Sequence, residues 1–315
     1  MTVNEGIFFV PAMSTDNQVR VFRRTLNATE EFEGLDVDAY IIITDSYLVV
    51  CDTLLCPEDV AAMMQIVQNE IADRTVLVVN SHADWDHAWG NAYFRGKRTA
   101  PIIAHKHGLV RMQSQEARQE LSDFQQRHPV FRNVELVPPT ITFKDELTIH
   151  DSDLTIELFS TPGHHRDHIA AWLPELSVLL AFDAVEKPLP CIENAAAVPS
   201  MFATLERLLA LQPRRVLCSH GKTTSSEIIK ENLAYLREIE RRSRIALLTH
   251  RPTEQELEHA DEFIQYPFDE VIASSNDEID HTFYSWAHNT NVRYMLEWLM
   301  TKAHLTANPP NAYNQ

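Results

Sequence analysis

The stretch His82-Ala83-Asp84-Trp85-Asp86-His87 sets four metal-competent side chains within six residues. It directly follows Thr75-Val76-Leu77-Val78-Val79-Asn80, an apolar, β-branched run that reads as a buried strand. Side chains in a loop at a strand end can converge on one point, as an ion requires, whereas a regular strand or helix face spreads them. Two imidazoles and two carboxylates suit zinc, iron or manganese. Taken alone, the run also fits a solvated turn rich in His and Asp.

Three further strand ends repeat the arrangement. Thr161-Pro162-Gly163-His164 follows the strand-like Leu154-Thr155-Ile156-Glu157-Leu158-Phe159 behind a Pro-Gly turn. Asp183 closes Val178-Leu179-Leu180-Ala181-Phe182, and His220 closes Arg215-Val216-Leu217-Cys218-Ser219. Any one of these is ordinary; all of them in one chain form a pattern. His82, His87, His164, Asp183 and His220 are therefore expected to converge on one centre. Val76-Leu77 and Val216-Leu217 each run into a Ser-His, at 81–82 and 219–220, a faint sign of two similar halves.

Together these motifs resemble the metallo-β-lactamase-fold metallohydrolases over roughly residues 39–222. That family's His-x-His-x-Asp-His motif corresponds to His82, Asp84, Asp86 and His87, its Thr-Pro-Gly-His loop to 161–164, and its last two ligands to Asp183 and His220. The resemblance implies an αββα sandwich and two divalent ions, zinc foremost. His82, Asp84 and His164 would hold one ion, Asp86, His87 and His220 the other, with Asp183 bridging. Asp84 departs from the pattern, since most members carry His there. The flavodiiron branch, which carries Glu, is similar in this respect. An ionised Asp84 would make the centre less positive and favour iron or manganese over zinc; turned outward, it would leave the first site weak.

The resemblance also implies hydrolysis by a metal-bridging hydroxide, with Asp86 or His168 shuttling the proton. A small ester, lactone or thioester is the expected substrate. Two alternatives remain: a di-iron redox protein, and a non-catalytic binding module stabilised by metal. Trp85 reads as packing or a pocket wall, and His168 as a group behind the ligands or facing substrate. His165 is notable only for sharing the loop of His164. His105, His107 and His150 read as ordinary surface or hydrogen-bonded histidines.

The chain has 315 residues, 27 Lys and Arg against 45 Asp and Glu, and a formal net charge of −18. With no Lys/Arg block to offset that charge, a nucleic-acid partner is disfavoured and a small-molecule substrate favoured. No apolar run approaches the ~20 residues of a membrane span. The four cysteines (Cys51, Cys56, Cys191, Cys218) form no CxxC pair, and free thiols in a reducing cytoplasm are the simplest account.

Strands are expected at 6–11, 18–25, 38–44 and 47–52, with a hairpin turn at Asp45-Ser46. Pro57 suits a first helical position, and Val60, Met63, Met64, Val67 and Ile71 keep the spacing of a helix on a sheet. Helices are expected at 107–126 and 199–211. Residues 1–222 read as the catalytic domain and 223–315 as a helical extension, either a lid or a packing layer. Within it, Thr224/Glu227 and Thr253/Glu256 have the form of capping boxes. A helix is expected from Asn291 to Lys302, preceded by an aromatic cluster (Phe283, Tyr284, Trp286, His288) able to line a pocket. Asn308 to Gln315 reads as a loose tail.

Overall fold

The computed structural model describes residues 6–15, 18–26, 34–71, 73–273 and 279–307, with side chains to 301. The tail expected at 308–315 lies outside the described residues. The chain begins with β1 (Ile7–Phe9), β2 (Val19–Thr25), β3 (Asp36–Ile43) and β4 (Tyr47–Cys51), joined in an antiparallel meander. The β3–β4 turn falls at Asp45-Ser46, where Thr44 N donates to Tyr47 O at 3.0 Å. Helix α1 (Pro57–Ile66) starts on its proline, and α2 (Gln68–Ile71) follows. Parallel strands β5 (Thr75–Val79), β6 (Ile102–His105) and β7 (Ile141–Phe143) complete a seven-stranded sheet in sequential order.

The helical span expected at 107–126 is broken in two, α3 (Lys106–Met112) and α4 (Gln115–Arg127). Ser114 causes the break: its hydroxyl accepts from Ala117 N and caps α4, a role serine prefers to a helix interior. The second sheet comprises β8 (Glu146–His150), β9 (Thr155–Ser160), β10 (Ile169–Leu173), β11 (Val178–Leu180) and β12 (Arg215–Leu217), in the order β12-β11-β10-β9-β8. Helix α5 (Val198–Ala210) crosses between β11 and β12, which pair in parallel.

Beyond β12 the described residues are helical: α6 (Glu227–Leu247), α7 (Glu254–Glu258), α8 (Ala260–Phe263), α9 (Phe268–Ile272) and α10 (His281–Ala307). The last begins at His281 rather than at the expected Asn291 and absorbs the aromatic cluster. The Thr253/Glu256 capping box forms. The one expected at Thr224/Glu227 does not, because Thr224 O is drawn back to accept from Val216 N at 3.1 Å and α6 starts only at Glu227.

Burial explains the layers. Along β3, Val37, Ala39, Ile41 and Ile43 face α1, while Tyr40 and Ile42 face the other sheet. This period-two division with both faces apolar is what a strand inside a sandwich needs. Between the sheets, Val21, Tyr40, Ile42 and Val49 meet Ile156, Leu158, Ile169 and Leu180. Outside the first sheet, Val60, Met63 and Trp89 pack on Ile41 and Val50. Outside the second, α5, α6 and α10 share one core with Leu179 and Val216. The result is an αββα sandwich whose outer layer on one side includes the C-terminal helices. Those helices pack as part of the core, whatever further role Tyr284 gives them below.

Candidate metal centre

The two sheets are stitched along one edge, where Ile169 N donates to Ser81 O (2.9 Å) and Asp38 N to Ser219 O (2.8 Å). Loops leaving β5, β9, β11 and β12 meet there, bringing His82–His87, His164, Asp183 and His220 to a common point. In the second of these loops Gly163 adopts φ +147°, and a Cβ on it would stand 2.7 Å from the Met201 Cα. Only glycine lets the Thr-Pro-Gly-His turn pass so close under α5.

The ligand atoms of His82, Asp84 and His164 lie within 4.8 Å of one another, as do those of Asp86, His87 and His220, and those of His82, His87 and Asp183. Asp183 is the hub. Its Oδ2 stands 3.1 Å from His87 Nε2, 3.5 Å from both His164 Nε2 and His220 Nε2, and 3.6 Å from His82 Nε2. Asp86 Oδ2 is 3.4 Å from His87 Nε2 and 3.5 Å from His220 Nε2. All seven residues named from sequence are thus brought together.

The imidazoles are oriented from behind. His164 Nδ1 donates to Cys191 O (3.2 Å) and His220 Nδ1 to Asp36 O (2.8 Å), leaving each Nε2 toward the hub. His87 Nδ1 donates to Asp52 Oδ2 at 2.8 Å. Ser81 Oγ also donates to Asp52 Oδ2 (2.7 Å), so it accepts from His82 Nδ1 (2.9 Å). These tautomers are assigned from the bonding network. Such outer partners fix ring orientation and raise ligand basicity.

The donor set passes a simple fit test for cations. His87 Nε2, His164 Nε2 and Asp183 Oδ1 are buried and make no hydrogen bond among the described residues. Orphaned polar atoms are costly unless something satisfies them, and a cation at the hub would do so. Burial works against a charged Asp183 carboxylate, yet the imidazoles of His87 and His220 hold it well below the usual carboxylate range. Burial likewise opposes charge on Asp84, which His165 and Arg111 hold well below that range.

His168 does not have the exposure that a proton shuttle needs. It is fully buried; its Nε2 accepts from Asp183 N (3.2 Å) and its Nδ1 donates to Thr161 Oγ1 (2.8 Å). Burial, then the neighbouring His164, lowers its pKa well below the usual value. With both nitrogens engaged, it positions Asp183 and presents no free atom to a substrate.

Several groups around the centre escaped the sequence reading. Asp52 carried the same signal as Asp183, an acid closing an apolar run, and went unused. His165 Nε2 lies 3.1 Å from Asp84 Oδ2 and its Nδ1 3.5 Å from Glu193 Oε1. Arg111, from α3, forms a close ion pair with Asp84 Oδ1. Trp85 packs against Phe124 and Phe131 (centroids 5.6 and 5.9 Å). His105 is buried and caps α3, accepting from His107 N.

A cavity of about 640 Å³ opens beside His220, lined by Phe8, Arg23, Leu35, Lys187, Lys222 and Tyr284 among others. Tyr284 reaches it from α10 and donates to Glu186 Oε1 at 2.6 Å. Its neighbours in the aromatic cluster do otherwise: Trp286 is exposed, and His288 bonds Tyr266 O and the Tyr235 hydroxyl.

A family model described as the metallo-beta-lactamase superfamily matches residues 33–220. No curated protein matches the chain. Among solved structures, a metallo-beta-lactamase family protein from Thermus thermophilus superimposes with a TM-score of 0.64 at 16% identity, covering 91% of this chain and 94% of its own. A metallo-beta-lactamase from Pontibacter korlensis gives 0.57 at 14% identity, covering 72% and 97%. Another from Pseudomonas aeruginosa, in its mono-zinc form, gives 0.54 at 16% identity, covering 74% and 95%. At these identities the likeness is one of fold.

Proposed function

We infer that this chain, which belongs to the metallo-beta-lactamase superfamily, is a metal-dependent hydrolase of small esters, lactones or thioesters. The observation that carries the reading is the convergence of His82, Asp84, Asp86, His87, His164, Asp183 and His220 as two separate donor clusters joined by a third, His82, His87 and Asp183. We assign His82, Asp84 and His164 to one ion, Asp86, His87 and His220 to a second, and Asp183 to both. When bound, two divalent ions, zinc foremost, would activate water and polarise the scissile carbonyl. A carboxylate can serve both ions, having two oxygens, whereas one imidazole nitrogen cannot.

Asp86 is the residue we place nearest the chemistry, because it touches His220, which lines the cavity. With the ions bound, the Asp86 carboxylate would be placed to take the proton lost by the attacking water and return it to the leaving group. Phe8, Leu35 and Tyr284 offer the cavity an apolar wall, while its charged lining is mixed: Lys187 and Lys222 stand with Asp36 and Asp280, and Arg23 is paired with Asp38 and Asp36. A compact substrate with an apolar body suits that lining better than a polyanion, given the chain's −18 charge. We read 1–222 as the catalytic unit and 223–315 as an extension that closes one wall of the cavity through Tyr284. Four free thiols fit a reducing, cytoplasmic setting, and no described helix is long and apolar enough to cross a membrane.

The test is elemental analysis of the purified protein, followed by a panel of generic ester, lactone and thioester substrates with metal-loaded and chelator-treated protein. Metal-dependent turnover of at least one class is expected. Bound metal without any turnover would favour the binding-module alternative. Oxygen consumption with a reduced flavoprotein would favour the redox one, although the helical character of residues 227–272 differs from a flavin-binding α/β unit.

A further inference from the structure

Asp84 is the residue that departs from the family pattern, and its two oxygens face different neighbours. Oδ2 is turned inward, 3.1 Å from His82 Nε2 and from His165 Nε2, and 3.8 Å from His164 Nε2. Oδ1 is turned outward and is held by Arg111 Nη2. The guanidinium belongs to α3, a helix seated close to the centre. Its Gly108 allows the approach, since a Cβ there would stand 3.2 Å from Asp167 Oδ2. Asp167 in turn accepts from Ala83 N (2.9 Å) and lies 3.7 Å from Arg111 Nη1. Arg111 Nη1 itself is buried and makes no hydrogen bond among the described residues.

An imidazole at position 84 would bring no charge to the centre, and a lone carboxylate would bring one negative charge. The carboxylate with Arg111 against it brings none. We propose that Arg111 and Asp84 act as one compensated unit: Arg111 cancels the charge of the carboxylate and holds its Oδ2 toward His82 and His164. The pair then presents an oxygen donor with the net charge of an imidazole. Arg111 is thus a positioning residue, and the charge argument for iron or manganese over zinc at this centre falls away. For its metal arm this rests on the site being a metal centre.

The unit makes a prediction that neither residue makes alone. Asp84→His takes away the carboxylate in contact with Arg111 and leaves Asp167, 3.7 Å from Nη1, as its remaining acidic partner, with imidazoles and a dication close by; adding Arg111→Met removes the undercompensated charge. Zinc affinity, measured against a chromophoric chelator, should fall on the order of tenfold or more in Asp84→His and return to within about threefold of wild type in the double variant. The melting temperature of the metal-free proteins should follow the same order. Equal zinc affinity in Asp84→His and the double variant would overturn the proposal. So would an equal loss of melting temperature from Arg111→Met in both backgrounds, since that marks a merely structural arginine. If wild-type protein binds no zinc, the metal reading fails, while the metal-free melting cycle still decides the pairing. Should Asp84→His not fold, Arg111→Lys is expected to keep zinc affinity within about threefold of wild type and Arg111→Met to shift it several-fold; identical affinities in those two would overturn the proposal.

Discussion

Asp52 Oδ2 accepts from His87 Nδ1 at 2.8 Å and, through Ser81, also governs the ring of His82. One buried carboxylate at the end of β4 therefore orients two imidazoles on the next strand's loop. Its backbone is bent to φ +64° to do so. Ser81 N donates to its other oxygen at 2.6 Å, so the group is anchored on both sides.

Asp52→Ala should lower metal affinity by about 10–100-fold, the usual cost of losing such an outer partner. It should also destabilise the fold by about 1–3 kcal/mol for each buried donor left unpaired. Chelator competition and thermal unfolding measure the two effects separately. Wild-type metal affinity in this variant would show that His87 is held by packing alone.

Asp183→Ala removes the atom that four imidazoles share. Metal content at both positions should fall, and hydrolysis should drop to background. Retention of one tightly held ion with substantial turnover would point to a single-metal enzyme.

Deleting residues 223–315 should give insoluble protein. Leu233, Leu236 and Ile239 of α6 are buried in the core that also holds Leu205, Leu208 and Val216. Removing the helix bares that surface to water. Soluble expression, followed by hydrogen exchange over α5, checks the outcome; a soluble truncation with native exchange would mean that the extension is dispensable for folding.

Acid sensitivity has a nameable contributor at the surface of α6. Hydrogen bonding from Arg241, with Arg242 adding to it, holds the Glu238 carboxyl down to about 2. A depressed folded pKa means stability that is present in full above the ordinary glutamate value and lost as pH falls toward about 2. The effect is small, because the group is partly exposed to screening solvent. The melting temperature of Glu238→Gln should therefore lie slightly below wild type above about pH 4.5, and the gap should close toward pH 2. A gap that widens on acidification would reverse the assignment.

Strand ends were the most readable part of the chain, because an apolar run closed by a lone His or Asp is a local signal. The first four strands were read within about two residues, since those runs are dense in β-branched and aromatic residues. β10 was missed: Ile169-Ala170-Ala171-Trp172-Leu173 is alanine-rich, and tertiary burial rather than propensity makes it a strand. The break between α3 and α4 turned on one serine. Arg111, His165 and Glu193 were invisible for a different reason. Arg111 and His165 meet Asp84, and Glu193 meets His165, across long sequence separations, and no spacing rule links residues that only the folded sheet edge brings together. His168 was readable as a member of the loop, but its burial was not.

The carbonyls that hold His164 and His220 belong to Cys191 and Asp36, and a main-chain oxygen survives any side-chain replacement. Half of the imidazoles at the centre are thus aimed by the path of the polypeptide rather than by chemistry written at those two positions. Drift at 36 and 191 can alter charge and volume nearby without rotating either ring, provided the loops keep their course. Drift at 52 has no such freedom, since there the acceptor is the side chain itself. Mutational tolerance around this centre should accordingly be uneven, high behind two of its histidines and low behind the other two.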